Sequence, residues 1–516
     1  MKRTSLTTVI LIITGGILFS MIFWQENLAL NAILFDAFLI GSLFALYSPQ
    51  KNKNFFIFLF LHLFCLIFLI LHNTDLSKIS WSVTMLLTVA FAQYVHRSVW
   101  FAGGAAMLSF AVFIPGFFNQ LVNLRKGSSK RKGPARYIRY AVIPLLIAFV
   151  FFVVYLSANN VFASILQQFA WFMENSLSGF FRIFSMDRIW FFCVGSYITG
   201  ALLLRSSISY FERREAALND DLQRAGRKEK PAAKWFFMEI ALEFMGKFGK
   251  GTMALKNENT VGIISLALLN LLLLIINIID IDYLWFNFSP KPGLNLSNLI
   301  HEGTEQLIFS IILAIVVLLF FFRGNLNFYK RNKWLRIGAY IWLLQNFILV
   351  ISVLLRDYYY IREMGLAYKR IGVLFFLVAV LIGLITAFVK IRFRKTNYFL
   401  FRMNAFALVC FLSLASMVNW DVYMAEYNIS HRSRTPIDLR FLLELSDKAL
   451  PVLDKNITIL RARETELNAA GKNIARCTAC IDEIIETRKM GYLENQRGLT
   501  WLSWNKSDND VKNYLK

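Results

Sequence analysis

Residues 371–389 read IGVLFFLVAVLIGLITAFV, a stretch without a single charged side chain. A helix needs about 20 predominantly apolar residues to cross the hydrocarbon core of a bilayer, so this stretch predicts a membrane-spanning helix. The run is continuously apolar and lacks the alternation of a barrel strand, which excludes a transmembrane β-barrel.

Similar runs recur along the chain and predict an all-α fold, a polytopic transmembrane helical bundle of about eleven spans. Of the 516 residues, 57% are hydrophobic and 17% charged, too little charge to cover the surface of a soluble protein of this size. The candidate spans are 7–24, 28–47, 55–72, 80–100, 140–158, 188–205, 260–279, 305–322, 337–356, 371–389 and 398–419.

The charge of the connecting loops predicts the orientation. The loop 124–139 carries seven Lys or Arg residues, which places it on the cytoplasmic side together with the N-terminus. An even number of crossings must then precede this loop, so we interpret 80–100 as the fourth span and 104–123 as an interfacial or half-inserted helix. The predicted cytoplasmic segments hold 30 Lys and Arg residues against 6 in the outer loops, which places the C-terminus outside.

The formal net charge of +23 has the same origin. The basic residues lie in short loops beside apolar runs, where they set topology and contact anionic head groups. We therefore expect membrane lipids as partners and no nucleic acid. Five cysteines do not make a disulfide framework, and Cys477 and Cys480 are expected to form a local disulfide or to be two free thiols.

The spans and loops divide the chain into five segments. The tail is the only soluble-looking part, and a cytoplasmic loop contains a predicted amphipathic helix over 234–250. The segments are 1–123, N-terminal spans with the interfacial helix; 124–205, a transmembrane pair with an outer amphipathic helix; 206–258, the cytoplasmic loop; 259–420, the C-terminal spans; and 421–516, an extracytoplasmic helical cap.

A first polar cluster precedes the span at 305–322. His301 and Glu305 are spaced to share one helix face, with Glu302 beside them. The zinc-protease signature would need a second histidine where Glu305 stands, so that signature is absent and no metal ligands are assigned. A metal or proton site and a helix cap with acids near the N-terminus remain alternatives for these candidate ligand-binding residues.

A second cluster occupies the outer loop 357–370, which breaks the charge rule with three cations. Tyrosines are typical of the membrane interface, and arginines at a span's end can extend toward head groups. Arginines gathered outside also suit an anionic head group or phosphate. The candidate ligand-binding residues of this cluster are Arg356, Asp357, Tyr360, Arg362 and Arg370.

Two further carboxylates are candidates. Asp421 follows the last span and could pair with the outer arginines, either as a structural ion pair or in a ligand site. Asp36 lies inside the run 28–47, and an ionisable group within a span is a functional candidate by default. Shifting that span toward residue 50 would instead bring Asp36 to the outer interface.

Several short segments carry a resemblance to a known family. They are 141–146 with 157–162, Arg356–Tyr360 with Gly365–Arg370, and Asn419–Asp421 with Ala425–Asn428. From about residue 140 to the end, the chain resembles the bacterial polytopic family known as domain of unknown function 4173, and its relative 4153. Many relatives have threonine where this chain has Ala367. The resemblance implies a bacterial integral membrane protein without assigned biochemistry.

Three functions follow as hypotheses. The first is a protein of the bacterial inner membrane that binds, transports or senses an envelope amphiphile, such as an anionic one, or an ion. The second is an intramembrane enzyme acting on a lipid-linked substrate at the outer face, with His301 or Glu302 as base and the arginines holding phosphate. The third is a scaffold for a partner protein. No nucleophile–base pair, cofactor motif or complete metal set is visible in the sequence.

Overall fold

A computed structural model describes most of the chain. The described residues are 2–47, 52–125, 185–205, 209–224, 254–286, 296–322, 324–432, 436–469 and 481–515, with isolated positions between 144 and 168. At 2–5, 119–125, 254 and 296–306 only the backbone is described. The predicted span 140–158, the amphipathic helices over 161–185 and 234–250, and Cys477 and Cys480 lie wholly or mostly outside these residues.

The described residues form helices and no strands, apart from one isolated bridge between Asp221 and Lys395. This confirms the prediction of an all-α polytopic bundle. The membrane-domain helices are α1 (Lys2–Phe23), α2 (Asn31–Leu46), α3 (Lys53–His72), α4 (Asp75–Gln93), α5 (Val99–Arg125), α6 (Met186–Leu203), α7 (Tyr210–Ala216), α8 (Ala254–Asp280, continued by a π-helical turn Ile281–Phe286), α9 (Leu296–Phe321), α10 (Lys333–Met364), α11 (Tyr368–Phe393) and α12 (Asn397–Ala415).

Seven of the described helices are long and apolar enough to cross a membrane, and two shorter apolar helices accompany them. The protein is therefore an integral membrane protein. The seven segments are Leu6–Phe23, Lys53–His72, Val99–Phe118, Leu255–Phe286, Lys333–Met364, Tyr368–Phe393 and Asn397–Ala415, and the shorter ones are Asn31–Leu46 and Leu307–Phe321. The total of about eleven crossings stays a prediction.

The helices run alternately between two ends of the bundle. One, which we call the basic end, is where α4 and α6 finish and α3 and α12 begin: Asn52 Nδ2 donates to Phe91 O at 2.6 Å, and Tyr47 Oη donates to Leu203 O at 2.7 Å. At the opposite cap end, Ser80 Oγ donates to Leu412 O at 3.1 Å. The connections α1–α2, α3–α4 and α10–α11 all lie at the cap end.

The helix α5 lies across the basic end. Phe101 contacts Tyr398 at the start of α12, with ring centroids 6.2 Å apart, and fifteen residues later Gly116 faces Leu204 just after α6. Between them, Ser109 Oγ lies 3.3 Å from Tyr94 Oη. By length and hydropathy Val99–Phe118 could span a membrane, yet its neighbours are the ends of other helices. Its depth in the membrane stays a prediction.

Small residues bring α1 and α6 together. A Cβ built on Gly16 would stand 2.0 Å from Ser196 Oγ, and one on Gly15 would stand 2.3 Å from Thr199 Cγ2. Without a hydrophobic driving force between helices in lipid, close backbone approach of this kind provides the van der Waals contact that holds them. These glycines are therefore required by packing.

At the basic end, Lys and Arg side chains donate hydrogen bonds to carbonyl oxygens at the ends of two helices. Buried Lys390 donates from Nζ to Phe322 O at 2.8 Å, just after α9, and Arg336 donates to Ile391 O at 2.5 Å, in the last turn of α11. The last carbonyls of a helix lack partners within it and carry the negative end of its dipole. Positive side chains satisfy both requirements.

The tail covers the cap end and shares its hydrophobic core with the bundle. Its helices are α13 (Trp420–Ser430), α14 (Leu439–Glu444), α15 (Leu450–Lys455), α16 (Ile457–Ala469), α17 (Ile481–Arg497) and α18 (Lys506–Leu515). Ile361 and Ile371, from the facing ends of α10 and α11, pack in one buried cluster with Met424, Leu453 and Leu460. The tail is thus continuous with the membrane helices below it.

Two polar contacts attach the tail to the N-terminal helices. Lys448 Nζ donates to Asn73 O in the α3–α4 connection, and burial lowers the pKa of the Lys448 amine. Glu26, in the α1–α2 connection, accepts hydrogen bonds from Ser503 Oγ and, at 3.2 Å, from Thr500 N.

Candidate functional site: a buried carboxylate–histidine centre

Asp36 of α2 and His62 of α3 form a buried pair within the helical bundle. His62 Nε2 lies 3.1 Å from Asp36 Oδ2, and each residue is 1% exposed. Two residues of α4 complete the centre: Trp81 Nε1 donates to Asp36 Oδ2 at 2.7 Å, and Thr84 Oγ1 lies 3.2 Å from His62 Nδ1. The structure therefore buries Asp36 inside the bundle, out of contact with solvent.

Helical periodicity explains why these side chains meet. His62 occupies a position of the buried face of α3, whose other members are Phe55, Phe58, Cys65, Leu66 and Leu69. Trp81 and Thr84 are three residues apart and so share one face of α4. A polar residue thus replaces an apolar one at a core position on each of three adjacent helices.

One tautomer of His62 fits the surrounding hydrogen bonds. Thr84 Oγ1 donates its hydrogen to Ser80 O at 2.7 Å, which leaves its lone pairs as acceptors. A hydrogen on His62 Nδ1 suits this acceptor. Nε2 is left facing Asp36 Oδ2, where one proton can belong either to the imidazolium or to the carboxylic acid.

With one proton shared between Nε2 and Oδ2 the pair is neutral overall, the state that burial in a low-dielectric interior favours. Asp36 Oδ1 is buried and has no hydrogen-bond donor among the described residues. The arrangement suits reversible binding of a proton or of a small cation that replaces one.

A line of hydroxyls passes the centre along α4. The buried side chains of Ser77, Ser80, Thr84 and Thr88 recur every three or four residues on one face, and each hydroxyl donates to a carbonyl of the preceding turn. Their lone pairs remain able to accept. The stripe places buried hydroxyl groups along the face of α4 that contacts His62.

The described residues contain no group of three His, Cys, Asp or Glu side chains that could hold a metal ion. Several residues of the same helices, Phe35, Leu39, Cys65 and Leu69, belong to the largest hydrophobic cluster of the described residues.

A second buried carboxylate, Asp280 at the end of α8, pairs with Arg356 of α10. Arg356 Nη2 lies 2.5 Å from Asp280 Oδ1, with side-chain exposures of 19% and 7%. Further polar contacts link the same two helices: Asn277 Nδ2 donates to Gln345 O at 3.1 Å, and Asn270 Nδ2 donates to Gly338 O at 2.9 Å. Since Arg stays protonated, Asp280 faces a permanent positive charge.

The predicted arginines at the cap end have separate surroundings. Arg370 donates to the carbonyls of Met364 and Gly365 at the end of α10, and its guanidinium carbon lies 4.1 Å from the ring centroid of Tyr360. Arg362 has a half-exposed side chain 3.9 Å from the carboxylate of its neighbour Glu363. Arg356 pairs with Asp280, so the three arginines contact different partners.

The predicted carboxylates of this region are also separated. Asp357 is 4% exposed, and its Oδ2 has no hydrogen-bond donor among the described residues. Asp421 accepts a hydrogen bond from Tyr368 Oη and another from Ser446 N at 3.3 Å, so it connects α11 to the tail. A shared ligand site for these residues stays a prediction.

His301, Glu302 and Glu305 lie in α9, whose backbone is described from Leu296, but their side chains are outside the described residues. The hypotheses of an enzyme and of a ligand site that rest on them stay predictions.

Sequence reasoning missed the histidine of the buried centre. A usable signal exists, because His62 is an ionisable residue near the middle of the apolar run 55–72. It also missed Asp280, which falls one position beyond the predicted span 260–279 and reads as a loop residue.

A third carboxylate, Glu215 of α7, was also missed. It is 3% exposed at the basic end and accepts from His96 Nδ1 at 2.6 Å, Ser98 N at 2.8 Å and Tyr398 Oη at 2.5 Å. Burial by itself would raise the pKa of the Glu215 carboxyl, but hydrogen bonds from His96 and Tyr398 and the charge of His96 lower it below its usual value. This carboxylate anchors α7 beneath the start of α5.

Comparison with curated proteins and with solved structures gave no match. A family model does match, over residues 7–456, which extends well before the region from 140 onward where the resemblance was seen. The resemblance to family 4173 stays a prediction, whereas its relative is the family found. The chain belongs to the family described as Domain of unknown function (DUF4153).

Proposed function

We propose that this protein binds and moves, or senses, an ion across the bacterial inner membrane, with Asp36 and His62 as the proton-exchanging pair. The observation that carries the proposal is the 3.1 Å contact of His62 Nε2 with Asp36 Oδ2 at 1% exposure, inside the bundle. Ionisable side chains within membrane spans are costly, and they characteristically mark ion pathways and proton relays.

Of the two ligand classes that the sequence predicted, the centre favours an ion over an envelope amphiphile. Its walls are close-packed aromatic and aliphatic side chains, and its polar atoms are few and near one another. An amphiphile would need a cavity with room for its chain. An anionic amphiphile at the outer arginines remains a prediction beside this proposal.

The proposed orientation has the N-terminus in the cytoplasm and the C-terminus outside. The excess of Lys and Arg in the loops of the basic end supports it. In that orientation Asp36, in the second turn of α2 from the cap end, lies in the outer half of the membrane. Membrane lipids are then the surrounding partners of the exposed apolar faces.

Proton flux in proteoliposomes tests the proposal. The purified full-length chain is reconstituted with an entrapped pH-sensitive dye, and a potassium gradient with valinomycin provides the membrane potential. We expect a flux with the wild-type chain that Asp36→Asn and His62→Gln abolish. The matched controls are Asp75→Asn, a side chain exposed at the start of α4, and His72→Gln, a second histidine of α3.

Infrared difference spectroscopy distinguishes a sensor from a transporter. If the pair exchanges a proton without moving it across, the wild-type chain shows a carboxylic-acid band that changes with pH and disappears in Asp36→Asn, without flux. Absence of both the flux and a pH-dependent band assigned to Asp36 contradicts the proposal.

A further inference from the structure

A cavity at the basic end combines positive charge with an apolar wall. It has a volume of about 640 Å³ and is lined by Arg224, Lys330, Arg331, Phe328, Tyr329, Leu255 and Asn325. The Asp36–His62 centre lies in a different part of the bundle, so this cavity is a separate feature.

Three structural elements hold the walls of the cavity in place. The connection between α9 and α10 is braced by Asn332, whose Nδ2 donates to Leu326 O at 3.0 Å and to Asn327 O at 3.1 Å. Asn259 of α8 reaches the same connection through Arg331 O at 3.5 Å. The cavity is therefore built before any ligand arrives.

Arg224 is brought to the cavity by the segment that follows α7. Leu222 N donates to Arg394 O at 2.9 Å, and Asp221 Oδ1 lies 2.5 Å from Lys395 Nζ. The guanidinium of Arg394 in turn lies 5.4 Å from the ring centroid of Phe328 in the cavity wall. Residues over 100 positions apart in the chain are thus joined around one opening.

The charge of the cavity is uncompensated within the described chain. Arg224, Lys330 and Arg331 form no ion pair with any described carboxylate, whereas the nearby Asp220 and Asp221 are paired with Arg402 and Lys395. Three cations around one opening, with no carboxylate among its described lining residues, favour a ligand that carries the negative charge itself.

The depth of the cavity identifies the class of ligand. Leu255, in the cavity wall, begins the exposed apolar face of α8, which continues through Val261 and Ile264. At 1.5 Å per residue, Val261 lies about 9 Å from Leu255 along the helix axis. An exposed apolar helix face faces hydrocarbon, so the cavity lies at head-group depth. Basic pockets beside membrane helices on the cytoplasmic side are suited to anionic lipid head groups.

We infer that this cavity binds a phosphate ester, presented either by an anionic phospholipid head group or by a soluble glycerol phosphate. Arg224, Lys330 and Arg331 would hold the phosphate oxygens, and Phe328, Tyr329 and Leu255 would contact the glycerol backbone and the start of an acyl chain. The volume is within the usual range for small-ligand sites.

Binding of defined probes to the full-length chain tests this inference. The probes are dihexanoyl phosphatidylglycerol, sn-glycerol 3-phosphate and, as the zwitterionic comparison, dihexanoyl phosphatidylcholine. The site variants are Lys330→Gln/Arg331→Gln and Arg224→Gln. The matched control, Lys53→Gln/Arg392→Gln, removes two exposed cations of the same end that do not line the cavity. Melting temperatures verify that all variants are folded.

We expect phosphatidylglycerol to bind the wild-type and control chains equally. The double site variant should bind it at least about tenfold more weakly, as the loss of charge-assisted contacts requires. If glycerol phosphate binds with the same dependence on Lys330 and Arg331 and phosphatidylglycerol does not, the source of the phosphate is soluble. Equal affinity of site and control variants for both anions, or wild-type affinity for phosphatidylcholine equal to that for phosphatidylglycerol, overturns the inference.

Discussion

Asp36 and Asp280 are both carboxylates buried within the helical bundle, but their partners differ in kind. Asp36 meets a histidine and a tryptophan N–H, whereas Asp280 meets an arginine. Arginine keeps its proton in proteins, so Arg356 gives Asp280 a permanently positive partner, and the pair holds α8 against α10. Histidine is the side chain whose charge can change near neutral pH, so the partner of Asp36 differs from that of Asp280 in kind. We therefore interpret Asp280–Arg356 as a structural pair and Asp36–His62 as the candidate functional pair.

The two pairs should respond very differently to loss of the basic partner. Arg356→Ala leaves the buried Asp280 carboxyl without its charged partner, and should lower the free energy of unfolding by about 3–5 kcal/mol. Unfolding in mixed detergent micelles measures it. The control Arg362→Ala removes a half-exposed arginine of the same helix and should have little effect. The double variant Asp280→Asn/Arg356→Gln should recover most of the loss. Equal effects of Arg356→Ala and Arg362→Ala would show that the buried pair does not stabilise the bundle.

Loss of the histidine should cost less. In His62→Gln, Asp36 can take up a proton and become neutral, so we expect a loss of about 2 kcal/mol, the cost of leaving a buried polar group poorly satisfied. The same unfolding assay gives the number, and infrared spectroscopy should find a permanent carboxylic-acid band. A loss as large as that of Arg356→Ala would remove the distinction between the two pairs.

The tryptophan of the centre is expected to contribute less again. Trp81→Phe keeps the aromatic bulk but removes the N–H that donates to Asp36 Oδ2, at a cost of about 1.5 kcal/mol. Trp100→Phe, on an exposed tryptophan, is the matched control and should be neutral. Equal changes in the free energy of unfolding for Trp81→Phe and Trp100→Phe would contradict this prediction.

Glu215 and His96 form a second carboxylate–histidine pair. Here the carboxylate also accepts hydrogen bonds from Ser98 N and Tyr398 Oη, and its pKa is lowered. Because the pKa of Glu215 is lowered in the folded protein, its contribution is complete above the usual carboxylate pKa and is lost as pH falls through the lowered value. Glu215→Gln should cost about 1 kcal/mol at neutral pH, as the hydrogen bonds to a charged acceptor become neutral ones, and should remove this acid dependence.

Hydrogen–deuterium exchange of α7 measures the Glu215 effect. The control is Glu212→Gln, which removes a carboxylate of the same helix that pairs with the half-exposed Arg205. Comparison of the two variants at each pH cancels the intrinsic pH dependence of exchange. Unchanged protection of α7 in Glu215→Gln, at neutral and at acid pH, would contradict the anchoring role.

The sequence was sufficient for most of the long apolar helices, because length and apolar character set a span. The predicted span 80–100 is instead divided between α4, which ends at Gln93, and α5, which begins at Val99. The run 371–389 lies within α11, and 55–72 lies within α3. It was less informative about sites. Asp36 could be identified as an ionisable residue in a span, but nothing in the chain order pairs it with His62 or distinguishes it from a residue at the interface. The arginines at the cap end were grouped by proximity in sequence, whereas helix geometry directs Arg356 to α8 and Arg370 to the end of α10.

The sequence alone determined that the chain is a polytopic all-α membrane protein, since backbone groups in lipid must bond within their own segment and apolar length then defines each helix. The alternation of its loop charges predicts the orientation. Only the tertiary structure decided which polar side chains meet, because contacts between helices depend on how each is rotated and packed. It therefore separated a histidine-paired Asp36 from an arginine-paired Asp280, partners that the order of residues along the chain does not reveal.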